Sequence, residues 1–448
     1  MRVMKWSMIA LAVAAAASTQ MATAAPFVSD QAEAKGFVED AKFDLLIRNY
    51  YFNRDNKDGA RDVKDWTQGL WGTFNSGYTQ GTVGVGVDAF GYLAIKLDGG
   101  DGTSGSGNMS RSDTVNANGG RNVNDSQGKA GGAIKFRVSK TELKFGDMSP
   151  STAPVFAVGG SRILPQVASG FQLQSSEVKD LDLEAGHFYS GSSQDKNARD
   201  GGLFANYAGV EANSIDYFGG KYGITENLSA SLYGAKLEDI WNQYYANVNL
   251  TTPFGGDTSL NTDFNIYRTT DTGDAKAGDI SNTAFSLATA LSFLKAHTIT
   301  LAFQKVNGDT PFDYVGIGKN NRGGDSIFLA NSIQYSDFNA PGEKSAQIRY
   351  DLKMAEYGVP GLSFMTRYVK GWDIDGTKTP AGSAYAGLYG EDGKHNETNF
   401  EAKYVVQSGP AKDLSVRFRQ AWHFANADEG EGDVKEFRVI VDYPLSIL

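Results

Sequence analysis

The amino-acid sequence predicts an all-β protein, a closed antiparallel barrel that crosses a membrane with its strands. Three observations lead there. Apolar and polar residues alternate with a period of two, in runs longer than the roughly five to six residues usual for a soluble strand. The polar parity carries full charges: from Thr82 to Asp98, Val83, Val85, Val87, Leu93, Ile95 and Leu97 oppose Asp88, Lys96 and Asp98. The chain opens with an export signal, and no later apolar run is long enough for a membrane-crossing helix.

The signal comes first. Arg2 and Lys5 give a positive start, an Ala-dominated apolar run follows over 8–17, and Ala22-Thr23-Ala24 has the small-residue pattern of a cleavage site. The expected organisation is a signal peptide over 1–24 and a single barrel domain over 25–448. Loss of Arg2 and Lys5, with no acid lost, moves the formal charge from −10 to −12. That charge argues against nucleic acid as a partner. With no Cys, disulfides, thiolate metal sites and Cys nucleophiles are excluded, and with 4 His a multi-His metal site is not expected. Gly (53), Phe (26) and Tyr (21) are abundant and Pro (11) is scarce, which suits a large sheet with many turns. The mean hydropathy of −0.35 would ordinarily suggest a soluble protein. It does not for a membrane barrel, where half of each strand faces the lumen.

The strand pattern starts by about Lys42. Phe43, Leu45, Ile47 and Tyr51 oppose Asp44, Arg48 and Arg54. Later, Ile299, Leu301 and Phe303 oppose Thr298, Thr300 and Gln304, and Ala346, Ile348, Tyr350 and Leu352 oppose Gln347, Arg349, Asp351 and Lys353. Leu414, Val416, Phe418 and Trp422 oppose Arg417, Arg419 and His423, with Gln420 interrupting the stripe as at a bulge or a membrane edge. Phe437, Val439, Val441 and Tyr443 form a last stripe that ends with the chain, as expected where the last strand closes on the first. Pro444 cannot donate to a ladder and belongs near the periplasmic end of that strand. Short connections such as 357–361 alternate with long polar ones over 99–131, 190–202 and 371–396, the first of them Ser/Asn/Gly-rich and read as a mobile surface segment. Gly84 and Gly86 read as small inward positions that leave lumen space.

In lipid every backbone N–H and C=O must be paired within the protein, and a closed sheet does this without edges. The apolar parity then faces lipid and the charged parity a wet lumen. A soluble β-sandwich would also alternate, but its repeated charged faces would all be external around one dry core.

Several extended stretches resemble OprD-type porins. They are the strand Phe43 to Arg54, Gly159-Gly160-Ser161-Arg162-Ile163-Leu164-Pro165-Gln166, Gly170-Phe171-Gln172-Leu173-Gln174-Ser175-Ser176, Asp325 through Asp337, and Ile440-Val441-Asp442-Tyr443-Pro444-Leu445-Ser446-Ile447-Leu448. The likeness covers 27–448. It implies a monomeric barrel of about 18 strands, narrowed by inward-folded loops, in a Gram-negative outer membrane among lipid and lipopolysaccharide. It further implies passive uptake of small carboxylate-bearing solutes, without a cofactor. The nearest branch takes up basic amino acids and small peptides, and also passes carbapenems.

Arg54, Arg417 and Arg419 lie on the polar parity of their strands, and Arg162 follows a Gly-Gly-Ser turn. These positions match the basic ladder that the family carries along its pore wall. Guanidinium groups keep their charge and bind carboxylates in a bidentate fork, and a column of them passes an anion along without holding it. A second reading has them pair with lumen acids such as Glu401 and stiffen the barrel. Arg48 and Lys403 share the parity and are secondary candidates. On the resemblance, Ser332, Tyr335 and Asp337 sit on a loop folded toward the ladder, and Tyr207 and Tyr314 line the same pocket. Asp337 would attract the cationic end of a solute while the arginines take its carboxylate. A loop cap for Asp337 and an interfacial aromatic belt for the tyrosines are the plainer readings. Near the outer mouth, 61–66 offers Arg61 or Lys64 where a further pore arginine is expected. An outer-membrane barrel enzyme is the alternative function. Its only support is a loose set of His187, Asp239 and Ser326, with no G-x-S-x-G elbow. A plug-gated transporter is disfavoured because strands begin so early.

Overall fold

The computed structural model describes residues 25–57, 59–318 and 324–448. The expected signal peptide and its cleavage site lie outside the described residues. Eighteen strands form one antiparallel sheet closed on itself. They are β1 (Lys42–Asn56), β2 (Val63–Asn75), β3 (Gly84–Asp98), β4 (Ser126–Val138), β5 (Thr141–Met148), β6 (Val167–Ser175), β7 (Leu181–Ser192), β8 (Ile215–Thr225) and β9 (Leu228–Leu237) in the first half. The second half comprises β10 (Trp241–Gly255), β11 (Thr258–Asp271), β12 (Ser281–Phe293), β13 (His297–Asn307), β14 (Lys344–Lys353), β15 (Leu362–Ile374), β16 (Gly393–Val405), β17 (Ser415–Ala425) and β18 (Val434–Ser446). Closure is made by β18 on β1, in unbroken register from Asn56 opposite Val434 to Asp44 opposite Ser446. Pro444 lies opposite Leu46, close to the end where the short turns gather.

The apolar parity is exposed on the outer wall: Leu70, Val87, Leu93, Ile95, Phe136, Phe145, Phe171, Leu232, Leu301, Ile348, Phe400 and Phe418 all face outward. In water each such side chain would forgo about 1.5–3 kcal/mol of burial, so the face is built for lipid. The stripe expected to break at Gln420 keeps its register, with Gln420 between Phe400 and Phe437, so there is no bulge.

The interior is dry on one side and polar on the other. Facing β7 to β13, loops 149–166 and 193–214 and the described segments 308–318 and 324–343 fold inward. Val155, Phe156, Leu203, Phe312 and Val315 pack there on the inward Tyr217, Trp241, Tyr245 and Tyr267. Met109, Ile163 and Leu164 cover Tyr50 and Phe52 of β1 in a smaller cluster. Along β14 to β18 the inward parity is charged instead.

Two expectations need correction. The segment 99–131 is not a mobile surface loop: β4 already begins at Ser126, and Ser106, Asn108 and Met109 are buried inside the barrel. The cause is Asp65, an inward acid of β2 that is fully buried and must be hydrogen-bonded. Asn108 Nδ2 donates to it at 2.9 Å, Ser106 Oγ donates to its other oxygen, and Asn108 Oδ1 accepts from the Ile163 N–H at 3.0 Å. Nor do Gly84 and Gly86 leave open lumen. A Cβ at Gly84 would lie 2.2 Å from Gln31 Oε1, and one at Gly86 2.7 Å from Lys135 Cε. The N-terminal segment fills that space. Gln31 accepts from Arg137 Nε at 2.9 Å, and Gln31 Nε2 donates to the Thr79 carbonyl at 2.8 Å.

Candidate functional site: the channel constriction

Four of the acid-side candidates meet at one carboxylate. Asp337 Oδ2 accepts from the hydroxyls of Tyr207 at 2.8 Å and Tyr314 at 2.9 Å, and Oδ1 accepts from Ser332 Oγ at 2.5 Å. The backbone explains the meeting. Leu203–Ala205, Val210–Ala212 and Val315–Ile317 form a three-stranded sheet inside the barrel, with Ala205 opposite Val315. The Asn206 N–H then donates to the Tyr314 carbonyl at 3.0 Å, and the two tyrosine rings meet edge-on at 6.1 Å. Asp313, which carried no sequence signal, locks this corner. Its carboxylate accepts from the N–H groups of Tyr207, Ala208 and Tyr314 and from the Tyr385 hydroxyl. Burial pushes its carboxyl up to about 6, and those donors hold it back. Burial, and then the charge of Asp337, raises Tyr207 and Tyr314 well above the usual phenol range, so both hydroxyls stay protonated as donors. Among the described residues no Lys, Arg or His lies within 4.0 Å of Asp337.

Tyr335, three residues along the same loop from Ser332, turns the other way. Its N–H donates to Glu397 at 3.1 Å, its hydroxyl donates to the Glu431 carbonyl at 3.1 Å, and the Arg54 guanidinium lies 4.9 Å from its ring. Arg54 therefore touches both the inward loop, at Tyr335, and the β18 wall, at Glu436. It also lies 5.4 Å from the Phe52 ring, which Arg162 approaches at 5.5 Å.

The arginines form a column, but they are not equally free. Arg54 grips Glu436 through Nε at 2.8 Å and a terminal nitrogen at 2.6 Å. Arg417 and Arg419 share Glu401, at 3.3 and 3.1 Å, as the pairing alternative anticipated. Arg162 differs. Its Nε donates to the Ser106 carbonyl at 2.7 Å and one terminal nitrogen to Ser161 Oγ at 3.3 Å, and among the described residues no carboxylate lies within 4.0 Å of it. Burial, and then the charge of Arg438, pulls this guanidinium below its usual range, as for a cation short of a counter-ion.

Sequence parity understated three members. Arg438 faces Arg419 across β17 and β18 and binds Glu436 through Nε at 2.6 Å. Arg349 and Arg367 stand opposite each other on β14 and β15. Arg367 Nε donates to Asn399 at 2.5 Å. Arg48 serves as a tie: it forks onto Asp442 at 2.7 and 3.1 Å and donates to the carbonyls of Gly160 and Arg162 at 3.0 and 2.8 Å. It thus hangs the loop that carries Arg162 from the wall. At the outer mouth, Arg61 donates to the Asn118 carbonyl at 2.6 Å and Lys64 lies 4.0 Å from Asp98, so both brace the loop that enters there. The loose triad is not assembled: exposed His187 pairs with Asp216, Asp239 with Lys276, and buried Ser326 bonds the Ala157 carbonyl.

A closed barrel with an apolar outside, a charged wall inside and loops folded into its bore defines an outer-membrane porin. The chain matches the family described as outer membrane porin, OprD family, over residues 35–447, and it belongs to that family. It is 65% identical over 452 residues to Porin D of Pseudomonas aeruginosa, with 100% of both chains covered. It is 36% identical to the Porin-like protein GalP of Pseudomonas putida, covering 93% of this chain and 95% of that one. The crystal structure of Pseudomonas aeruginosa OprD superposes with a TM-score of 0.83 at 62% identity, covering 94% of this chain and 100% of that one. Pseudomonas aeruginosa OpdK, solved with vanillate, gives 0.80 at 34% identity, over 92% and 100%. The protein is a substrate-specific channel of the Gram-negative outer membrane and not an enzyme.

Proposed function

We propose that the channel passes small carboxylate-bearing solutes, above all basic amino acids and small peptides, by holding the two ends of the solute on opposite walls. The observation that carries this reading is a pair of unpaired charges: among the described residues no carboxylate lies within 4.0 Å of Arg162 and no Lys, Arg or His within 4.0 Å of Asp337. The carboxylate would fork onto Arg162 and then move along Arg438, Arg419 and Arg417, each already partly satisfied by Glu436 or Glu401 and therefore a weaker stop. Partial satisfaction suits permeation, where a site must release what it attracts. The ammonium or guanidinium end would face Asp337 between Tyr207 and Tyr314. The vanillate held by the related OpdK is an aromatic carboxylate, which supports the anionic half of this reading.

Single-channel recording of the refolded mature barrel tests it. Small conductance steps blocked by added arginine are the expected result. Block by benzoate alone would move the preference to aromatic carboxylates, and no block by either would sink the carboxylate reading.

A pH dependence should accompany it. Burial pushes the Asp325 carboxyl up to about 7, opposed by the Gly160 N–H and by the charge of Arg162. Above that pH its carboxylate offsets Arg162, and below it Arg162 stands alone. Reversal potentials in a salt gradient should show rising anion preference as pH falls from about 8 to about 6, and Asp325→Asn should hold the low-pH value throughout. The linkage to folding has the matching sign. The folded pKa lies above the ordinary 3.8, so this group's stabilisation is complete below that value and is lost as pH rises through about 7. A wild-type reversal potential flat across this window would remove Asp325 from the electrostatics of the pore.

A further inference from the structure

At the loop-bearing end of the wall, one tyrosine ring from Arg54, two of the four histidines meet. His395 of β16 and His423 of β17 are buried, with His395 Nδ1 and His423 Nε2 only 2.9 Å apart. The outer nitrogen of each ring is committed. His423 Nδ1 lies 2.8 Å from the Gly432 carbonyl, which can only accept, so that nitrogen carries the proton. His395 Nε2 lies 2.7 Å from Glu343 Oε1, a carboxylate whose other oxygen already accepts from the Ala340 N–H at 2.9 Å. In the neutral rings the two inner nitrogens then turn lone pairs toward each other.

Two more acceptors complete the circle. Glu429 Oε1 lies 3.4 Å from His395 Nδ1, and Glu431 Oε2 lies 3.8 Å from His423 Nε2. All four atoms fall within 4.8 Å of one another. Glu431 Oε2 is buried and has no hydrogen-bond partner. Four potential electron-pair donors converge on one point, the two inner nitrogens within hydrogen-bond distance of each other, and an orphaned buried oxygen is costly unless something satisfies it.

We infer that His395, His423, Glu429 and Glu431 form a binding site for one divalent transition-metal ion of the zinc class. Imidazole nitrogens and carboxylate oxygens at about 2.0–2.2 Å from zinc in a tetrahedron stand roughly 3.3–3.5 Å from each other, which the 3.4 Å from Glu429 Oε1 to His395 Nδ1 matches and the 3.8 Å from Glu431 Oε2 to His423 Nε2 slightly exceeds. The histidine nitrogens need to part by only a few tenths of an ångström. Glu343 and the Gly432 carbonyl are the outer hydrogen-bond partners that fix ring tautomers at histidine metal sites. Magnesium and calcium prefer all-oxygen shells, so the histidines select against them.

The site would brace the constriction. Phe338 packs on the His395 ring at 4.1 Å and Tyr335 on the His423 ring at 4.9 Å, on either side of Asp337. Glu343 closes the same loop. A bound ion ties that loop, through its outer partner, to β16, β17 and loop 426–433.

The test is calorimetric titration of the full refolded barrel in detergent, stripped with chelator and dialysed, with zinc chloride and separately with magnesium chloride. Saturable binding of one zinc ion per barrel and no magnesium binding are expected. His423→Gln and Glu431→Gln should each weaken zinc by at least about 10-fold, and the outer-partner variant Glu343→Gln by roughly 10–100-fold. Heat-modifiable gel mobility shows whether each variant is folded. Should His423→Gln misfold, anomalous scattering at the zinc edge from wild-type crystals locates the ion directly. No saturable zinc binding by the wild type, unchanged binding in folded variants, or an anomalous peak elsewhere would each overturn the assignment. The first of these outcomes leaves a proton shared between the two rings as the filler of the cluster.

Discussion

Arg162→Gln is expected to weaken block of the channel by arginine and by alanine alike, by roughly 10–100-fold. One charge-assisted hydrogen-bond pair contributes about 1.5–3 kcal/mol, and among the described residues no acid is ion-paired to Arg162 to share it. Both solutes carry the same carboxylate, so both should suffer. The barrel itself should fold normally, because Gln can keep a donor near the Ser106 carbonyl and the loop is still hung from Arg48. Arg417→Gln is the comparison. Arg417 already shares Glu401 with Arg419, so its removal costs the solute less and should shift block by only a few-fold. Equal effects for the two substitutions would mean that the ladder acts as a diffuse field, with no particular role for Arg162. The measurement is the concentration of each amino acid that halves the open-channel current, at fixed salt, since screening weakens every term here.

Asp337→Asn should separate the two solutes. Block by arginine is expected to weaken by roughly 10-fold, one charge pair of about 1.4 kcal/mol, while block by alanine barely moves. The substitution is a clean probe because the pocket can absorb it. Asn keeps an oxygen for one set of donors, and the hydroxyls of Tyr207 and Tyr314 can rotate to accept from its amide. Loss of both solutes to the same degree would point to a collapsed pocket instead of a lost charge. Tyr207→Phe offers a check on that: it removes one hydroxyl contact and leaves the carboxylate in place.

Much of this architecture could be read along the chain. A strand's side chains alternate with a period of two whatever its neighbours are, so the residues between Phe43 and Arg54 divide into outward and inward sets before any partner strand is known. The same rule placed Arg417 and Arg419 inside and Phe418 outside. The closing strand was legible in the stripe ending at Tyr443. The acid-side residues Ser332, Asp337, Tyr207 and Tyr314 were reached through family likeness, since nothing in their spacing announces a shared carboxylate.

What the sequence by itself determined is therefore local: which side of each strand faces lipid, where the strands lie, and that the inner wall is charged. The tertiary structure alone decided which charges are spent and which are free. Arg54 meets Glu436, and Arg417 and Arg419 meet Glu401, only through register across neighbouring strands. Arg162 is left without an ion-paired acid among the described residues because Arg48 and Asn108 hold its loop away from the acids that the other arginines grip. Asp65 draws a polar, loop-like segment into the bore, against the expectation from its composition. His395 and His423, unremarkable in the chain, face each other because Glu397 stands opposite His423 in the ladder, which brings the ring two residues earlier to the same inward face. Each of these is a long-range contact, fixed by how the sheet closes and how the loops fill it, and no period or motif in the chain encodes such a distance.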